Sequence, residues 1–355
     1  MENVYRKTAI LYDDVGKPSE MVQIPKFLVS DVIQGGPDIV HPAFIIDGKE
    51  RECIYISKYQ NIVEGERAYS LPNKDPDVLH TPIEINRFCR NKGKNWHLMT
   101  SAEWAAVSLW SRKNNTIPRG NNDGGRDWKV CHEHGKLISL DGIVPEGEEG
   151  PPKRVATGSG PATWSHDGSN DGIFDMNGNV WELTSGMRTV NGILQVIKEN
   201  DAAVLGIAVD NLNEKDWKCI SESGTLVDNE EEKPLRMIAK GEWVPEVSGM
   251  SLTHDVTNDQ DETTDGYLYF KDFKAPIQEK TVGSIVEQLT IVPPSDNLED
   301  NNSNVVWDSL KGVRYPIRGG YWVNKEMAGI FSYGFYMQPN DKYFDVGFRC
   351  CYFEE

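Results

Sequence analysis

The fold of this chain is decided by one stretch near its middle, Phe174-Asp175-Met176-Asn177-Gly178-Asn179-Val180-Trp181-Glu182. The stretch closes a longer segment, residues 158–182, that is dense in glycine, aspartate, asparagine and serine. Trp181 can fill the core of a small twisted sheet, because a tryptophan buries a large apolar area. We therefore interpret this tryptophan as part of the core rather than of a ligand site.

A second tight pattern occupies residues 311–355. It runs Pro316-Ile317-Arg318-Gly319-Gly320-Tyr321-Trp322, then Ala328-Gly329-Ile330-Phe331, then Val346-Gly347-Phe348-Arg349-Cys350. Each apolar group is typical of a short strand, and the paired glycines permit a close backbone approach or a bulge. On such a strand Arg349 would face away from its two neighbours and could hold a carboxylate or loop carbonyls.

Local signals predict a helix and a hairpin. Thr100-Ser101-Ala102-Glu103 is a capping box, with a hydroxyl at the cap and a carboxylate three residues later. It predicts a helix from about Ser101 to Arg112, with Trp104 pointing inward. Asp47-Gly48 lies between the apolar runs 43–46 and 53–59, which predicts a hairpin joining them.

Composition and charge exclude several classes of protein. The 355 residues include 37 Lys and Arg against 55 Asp and Glu, which gives a net charge of −18. That balance argues against nucleic acid and against an anionic membrane surface as partners. No stretch approaches the roughly 18 apolar residues of a membrane helix, so we expect no membrane insertion. No secretory signal is visible, and we expect synthesis in the cytoplasm.

The six cysteines are too few and too scattered for a disulfide scaffold. The simplest interpretation is a set of buried free thiols in a protein made in a reducing compartment. Cys350 and Cys351 are adjacent and would point to opposite faces of a strand, so we expect only one of them in the core.

The capped helix, residues 174–182 and the C-terminal blocks together resemble the C-type-lectin-like fold of the formylglycine-generating-enzyme (sulfatase-modifying factor) superfamily. The closer resemblance is to the variable proteins of diversity-generating retroelements, found in phages and in bacterial and archaeal genomes. In those proteins Arg-Gly-Gly-x-Trp, Ala-Gly-(Val/Ile)-Phe and Gly-Phe-Arg follow in the order seen here. The pieces at residues 55–59 and 164–168 also look like this branch. The resemblance covers about residues 42–190 and 311–355.

The resemblance implies an α+β, C-type-lectin-like domain over residues 42–355, preceded by an N-terminal segment at residues 1–41. It implies an inserted subdomain at about residues 190–310 and a variable ligand-binding region at about residues 318–349. The expected function is non-enzymatic binding of a protein or glycan receptor on a host or target cell. The expected location is a phage tail or a cell surface, with virion or tail proteins as further partners.

The rival function is that of a formylglycine-generating oxidoreductase. Those enzymes oxidise a sulfatase cysteine with a cysteine pair between the Arg-Gly-x-x-Trp and Gly-Phe-Arg blocks. This chain has no cysteine between Trp322 and Arg349, and a thiolate nucleophile or metal site cannot be built without thiols. We therefore expect no enzymatic activity and no required cofactor.

In the retroelement proteins, adenine-directed mutagenesis replaces a patch of surface side chains. Carried over by position, the ligand-binding residues are Tyr321, Val323, Asn324, Lys325, Ser332, Tyr333, Gly334, Phe335, Tyr336, Asn340, Asp341, Tyr343, Phe344 and Asp345. Tyr, Ser, Phe, Asp, Gly and Val are all reachable from an Asn codon by changing adenines, whereas lysine needs a Lys-type codon. Aromatic and small polar side chains also make up antibody paratopes.

Two alternatives stay open for the C-terminal residues. Phe331, Tyr333, Phe335 and Met337 alternate as a buried strand face would; we assign Phe331 to such a face, and Tyr333 and Phe335 fit either interpretation. Tyr336, with Tyr321, Tyr343 and Phe344, is expected to be exposed. A fixed virion protein is the third class of function, and it would show no sequence variation near the C-terminus.

A structural calcium ion is the one metal that the resemblance implies. In the formylglycine family the segment equivalent to residues 174–182 binds calcium. Carried over, the ligands are the Asp175 side chain, the carbonyls of Gly178 and Val180, and the Glu182 carboxylate. These are the hard oxygen ligands that calcium prefers. Without the ion, we expect Glu182 to cap a loop.

Overall fold

A computed structural model describes residues 8–138, 153–205, 214–228, 233–240, 249–254, 265–272, 274–276, 282–295, 304–309 and 311–355. These residues form a mixed structure that contains more strand than helix, which confirms the predicted α+β class. None of the described helices combines the length and the hydropathy needed to cross a bilayer.

The strands vary from two to nine residues in length. They are β1 (Thr8–Tyr12), β2 (Pro18–Pro25), β3 (Ile45–Ile46), β4 (Lys49–Glu50), β5 (Cys53–Ser57), β6 (Ile62–Glu64), β7 (Arg67–Tyr69), β8 (Trp96–Leu98), β9 (Trp181–Leu183), β10 (Met187–Val190), β11 (Ile193–Ile197), β12 (Trp217–Ile220), β13 (Leu226–Val227), β14 (Arg236–Lys240), β15 (Gly249–Thr253), β16 (Asp265–Tyr269), β17 (Val305–Ser309), β18 (Val313–Gly319), β19 (Gly329–Met337), β20 (Val346–Phe348) and β21 (Cys350–Tyr352).

The helices are short apart from two. They are α1 (Val29–Val32), α2 (Pro82–Arg90), α3 (Ser101–Lys113), α4 (Ala202–Leu205) and α5 (Ile285–Gln288). Single 3₁₀ turns span Pro42–Phe44, Ala162–Trp164, Phe270–Asp272 and Lys325–Met327.

A five-stranded antiparallel sheet joins the beginning of the described chain to its end. Its strand order is β1-β2-β5-β21-β8. The segment before residue 42 therefore supplies two strands to the same sheet as β5 and β21. Residue 42 is not a structural boundary, because backbone hydrogen bonds between β2 and β5 cross it in register.

A second, larger sheet has the main order β13-β12-β11-β10-β18-β19-β17-β16, with β14 and β15 joined through β11, and β9 and β20 joined through β18. The pairs β17–β19 and β9–β20 are parallel, and the other pairs are antiparallel. Described strands from residues 190–310, expected to be an insertion, flank β18 and β19 on both sides. They extend this sheet rather than forming a separate one.

Helix α3 confirms its sequence prediction and lies in the core. The Thr100 hydroxyl accepts the N–H of Glu103 at 3.1 Å, and the Glu103 carboxylate accepts the N–H of Thr100 at 2.9 Å. Trp104 is fully buried, and its indole N–H donates to the carbonyl of Ile330 at 2.7 Å. The helix thus connects to the start of β19.

The predicted hairpin at Asp47-Gly48 forms, but with different strands. Both turn residues have positive φ, 54° and 64°, as a two-residue hairpin turn requires. The turn joins the two-residue strands β3 and β4. The expected partner, β5, pairs instead with β2 and β21, because burying both of its edges outweighs a local pairing.

The cysteine prediction is wrong for one pair. A disulfide joins Cys89 on α2 to Cys350 on β21. The two meet because α2 packs on β8 and β8 pairs with β21. Cys350 and Cys351 are both buried, in different core clusters, because both faces of this sheet are covered. The remaining cysteines are free, namely Cys53, Cys131, Cys219 and Cys351.

We expect alkylation of the denatured, unreduced protein to modify four thiols rather than six. Cys89→Ser should lower the free energy of unfolding by about 3 kcal/mol, because the disulfide closes a long loop in the unfolded chain. Denaturant melts with and without reductant measure this difference. Cys131→Ser, at an exposed free thiol, is the control and should leave the melt unchanged. Six alkylated thiols would contradict the assignment.

Candidate functional site

A buried ion pair holds the segment 174–182. The Nε and Nη2 groups of Arg349 donate to the two carboxylate oxygens of Glu182, each at 2.5 Å. Both side chains are almost inaccessible to solvent, at 0% and 1%. Arg349 also donates to the carbonyls of Ser57 at 3.1 Å and Phe174 at 3.0 Å. The prediction that Arg349 holds a carboxylate and loop carbonyls is thereby confirmed.

The side-chain amide of Gln60 contacts two of the oxygens that the resemblance assigns to calcium. Its Nε2 donates to the carbonyls of Asp175 at 3.2 Å and Val180 at 3.0 Å, and to the Glu182 carboxylate at 3.1 Å. Its Oε1 accepts from the Asn179 amide at 2.8 Å. The partners on both sides of the amide fix its orientation, because only the nitrogen can donate.

The Asp175 carboxyl group is isolated from this network. Its Oδ2 accepts the N–H of Gly158 at 2.8 Å, while its Oδ1 is buried and has no hydrogen-bond partner among the described residues. Burial raises the pKa of Asp175 to about 6, against the opposing effects of the Gly158 hydrogen bond and the Arg349 charge. The group is therefore a weaker anion than an exposed aspartate.

Position 178 requires glycine because the backbone of Asn121 lies very close to it. Its φ is 78°, and a Cβ at this position would lie 2.1 Å from the carbonyl oxygen of Asn121. Only glycine fits such a contact. The position thus fixes the turn before β9.

Two of the four proposed calcium ligands, the Glu182 carboxylate and the Val180 carbonyl, are already engaged by hydrogen bonds. Calcium takes about six to eight oxygens at close range. Both oxygens of Glu182 and the carbonyl of Val180 already accept N–H groups from Arg349 or Gln60. The guanidinium also neutralises the one fully charged ligand of the set. Hydrogen bonds from Arg349 and Gln60 therefore hold two of the oxygens that the resemblance assigns to calcium.

The C-terminal candidate residues fall into three groups by exposure. The exposed ones are Val323, Lys325, Tyr336 and Asn340. The half-buried ones are Tyr321, Asp341, Tyr343, Phe344 and Asp345. The buried ones are Asn324, Ser332, Tyr333, Gly334 and Phe335. The structure thus brings nine of the fourteen to the surface and places five in the interior.

Four of the five buried residues, 332–335, lie inside because β19 is a central strand, paired with β17 and β18. The Tyr333 hydroxyl donates to the carbonyl of Ile291 at 2.7 Å. Ser332 donates to the carbonyl of Met327. Asn324 accepts the N–H of Tyr321 at 2.9 Å and closes the turn. The expectation that these buried residues contact a ligand is therefore corrected. Of the two interpretations of Tyr333 and Phe335, the structure favours the buried strand face.

The aromatic residues that reach the surface form what we call the C-terminal aromatic patch, made of Tyr321, Tyr336, Tyr343 and Phe344. The rings of Tyr336 and Tyr343 have centroids 5.2 Å apart. Phe344 and Tyr321 both pack on the buried Trp322, at 5.9 and 5.0 Å. Tyr343 and Phe344 are neighbours in sequence, so one loop carries a member of each group.

The loop that carries Tyr343 and Phe344 is fixed through its backbone carbonyls. Arg154 pairs with both carboxylate oxygens of Asp75, at 2.9 and 2.8 Å, and donates to the carbonyl of Phe344 at 3.2 Å. The N–H of Leu79 donates to the carbonyl of Tyr343 at 3.0 Å. The patch is thus displayed on a loop whose backbone is held by main-chain and ionic contacts.

Sequence reasoning missed a buried polar cluster beneath α3. Nε2 of His97 lies 2.9 Å from Oε1 of Glu103, and Nδ1 lies 3.0 Å from the carbonyl of Asn95. Both ring nitrogens therefore lie within hydrogen-bond distance of an oxygen acceptor. Burial opposes ionisation of Glu103, but His97, Thr100 and Asn200 together lower its pKa.

The third member of this cluster is the thiol of Cys351, close to His97 and Glu103. Burial raises its pKa well above the usual value, so it is a poor nucleophile. The Glu103 carboxylate is already hydrogen-bonded to His97, Thr100 and Asn200. The cluster is therefore a buried, hydrogen-bonded group at the start of α3, and its sequence signal was the capping box.

No family model matches the chain, and no curated protein matches it. Among solved structures, the chain is similar to PvdO from Pseudomonas aeruginosa, with 12% sequence identity and a TM-score of 0.35 over 98% of this chain and 99% of that chain. A TM-score at that level supports no inference about fold or activity.

We expect the melting temperature to be the same in calcium and in EDTA, because hydrogen bonds already engage two of the four implied calcium ligands, Val180 and Glu182. Gln60→Glu would replace the donor amide with a third carboxylate beside Glu182 and Asp175. This variant should melt at a lower temperature in EDTA and recover in millimolar calcium. Glu355→Gln, at an exposed carboxylate, is the control. A calcium-dependent melt of the unchanged protein would contradict this account.

The Glu103–His97 pair should make stability depend on pH. Because the folded-state pKa of Glu103 lies below its ordinary value of about 4.5, its contribution is complete above that value and is lost as the pH falls through the lowered pKa. Glu103→Gln should therefore cost about 3 kcal/mol near neutral pH and progressively less in acid. Urea melts across this range measure the effect. A loss of stability in Glu103→Gln that is the same at every pH would contradict a lowered pKa of Glu103.

Proposed function

We propose that this chain is a C-type-lectin-like binding protein resembling the variable proteins of diversity-generating retroelements. In this proposal the C-terminal aromatic patch and its exposed neighbours recognise a protein or glycan receptor. The chain carries out no reaction. It is displayed on a phage tail or a cell surface, beside virion or tail proteins.

The observation that carries the proposal is the division of the C-terminal segment into interior and surface. Phe335 and Met337 have no exposed area, whereas Tyr336 between them is 42% exposed. Tyr336 meets Tyr343 at the surface rather than filling the core. Clustered exposed tyrosines provide a large contact area at a low entropy cost, as in paratopes.

The nine surface positions define the proposed recognition surface. They are Tyr321, Val323, Lys325, Tyr336, Asn340, Asp341, Tyr343, Phe344 and Asp345. All of these except Lys325 are compatible with an Asn codon changed at adenines. Diversification confined to them would leave the buried side chains of β19 unchanged.

The state of the cysteines favours binding over oxidase chemistry. Cys350 is in a disulfide, and Cys351 is buried with a raised pKa. Neither is a ready nucleophile, and the interval between Trp322 and Arg349 contains no other thiol. The oxidoreductase alternative therefore lacks its reactive pair at the expected place.

Matched substitutions test the proposed division. Tyr336→Ser should change the free energy of unfolding by about 0.5 kcal/mol or less, because its ring lies at the surface. Phe335→Ser, one residue away, should cost about 3 to 5 kcal/mol because it opens a cavity in the core. Denaturant melts measure both. Equal costs would remove the basis for a surface that tolerates exchange.

Sequencing the locus across a population tests the diversification itself. Replacements should fall on the nine surface positions. A near-copy of the segment coding residues 318–349, differing at adenines, should lie near a reverse transcriptase gene. An invariant C-terminal segment without such a copy would favour a fixed virion protein.

A further inference from the structure

A cavity of about 320 Å³ lies between the loop after α3 and the short segment before β19. Asn122, Trp128 and Lys129 line it from the loop, and Glu326 lines it from the segment. The cavity adjoins the recognition surface, because the N–H of Lys325 donates to the Asn122 carbonyl at 2.8 Å. Its volume is at the lower end for small-ligand pockets, which leaves room for a single ring.

Two buried asparagine amides form the floor of this cavity. Asn122 donates to Oδ1 of Asn177 at 3.1 Å, and Asn177 donates to the carbonyl of Pro118 at 2.8 Å. Each side-chain amide has two N–H bonds, and within the described residues each uses one. The two amides are therefore held in place, and each keeps one N–H group for a ligand.

Trp128 forms a wall that is already positioned. Its main-chain N–H donates to Oδ1 of Asn122 at 2.9 Å. The next two N–H groups, of Lys129 and Val130, donate to Oδ1 of Asp127 at 3.0 and 2.7 Å. The side chain is nevertheless 39% exposed. A large aromatic face held open on a fixed loop is suited to stacking rather than to packing its own core.

The charges around the cavity nearly cancel. Arg119 is paired with Glu133, at 2.8 Å from Nε, and Asp127 is occupied by backbone N–H groups. Among the described lining residues this leaves one cation, Lys129, and two anions, Asp127 and Glu326, without a salt bridge. A strongly charged ligand would meet one of them unfavourably, and an apolar ligand would leave the amides unmatched.

We propose that this cavity binds a neutral pyranose ring of a glycan, with the ring face on Trp128 and its hydroxyls on the asparagine amides, Lys129 and Glu326. A pyranose combines an apolar face of C–H bonds with a rim that both donates and accepts. That combination matches one indole wall and a rim of mixed sign. The inference rests on the proposed function, because it names the chemical class of receptor for the same face of the molecule.

An array of immobilised neutral and sialylated glycans, probed with the full-length chain, tests the inference. We expect binding to neutral glycans, and a loss of about tenfold or more in Trp128→Ala. Tyr269→Ala is the matched control, because Tyr269 is 38% exposed and lies outside the cavity lining. It should bind as the unchanged protein does. Circular dichroism melts of both variants confirm that they are folded.

Binding of no neutral glycan, or equal binding by Trp128→Ala, overturns the cavity proposal. Tyr336→Ser, measured in parallel on intact target cells, separates this failure from a failure of the proposed function. Cell binding that falls in Tyr336→Ser but not in Trp128→Ala rejects the cavity alone and indicates a peptide receptor. Cell binding that neither substitution changes rejects both.

Discussion

The ion pair between Glu182 and Arg349 is the contact on which the rest of the structure depends. Glu182 lies on β9 of the large sheet, and Arg349 lies between β20 of that sheet and β21 of the five-stranded sheet. Arg349 also binds the carbonyl of Ser57 on β5. One guanidinium therefore connects both sheets to the segment 174–182. A charge pair this deep is tolerated only because nearly every N–H and oxygen around it has a partner.

Gln60 completes this arrangement and explains why the segment is ordered by hydrogen bonds. Three acceptors converge on its single nitrogen, and the Asn179 amide fixes its oxygen. The strands that leave this centre, β18 and β20, bracket the nine surface positions. Their ends are held by main-chain pairing with β9 and by the ion pair, rather than by the side chains of those nine positions.

Local signals in the sequence were sufficient for some elements. The capping box located α3 because its two hydrogen bonds involve residues only three apart. Strand alternation identified the role of Arg349. The C-terminal strands β18 to β21 were also evident as apolar groups. Each of these depends on neighbours along the chain, which a single sequence displays directly.

Long-range features could not be predicted in the same way. Cys89 and Cys350 are separated by 261 residues, and nothing near either one indicates the other. Gln60 looks like any surface glutamine until β9 and its preceding loop fold over it. The burial of Tyr333 depends on β17 pairing with the inner edge of β19. In each case a tertiary neighbour, rather than a local preference, determines the environment.

The position of β21 has a consequence for how the protein is made. This strand lies between β5 and β8, so residues 350–352 join these two strands in the sheet. During synthesis the facing edges of β5 and β8 stay unpaired until residues 350–352 have been made. Pairing between strands that are far apart in sequence slows folding and leaves unpaired strand edges exposed to other chains.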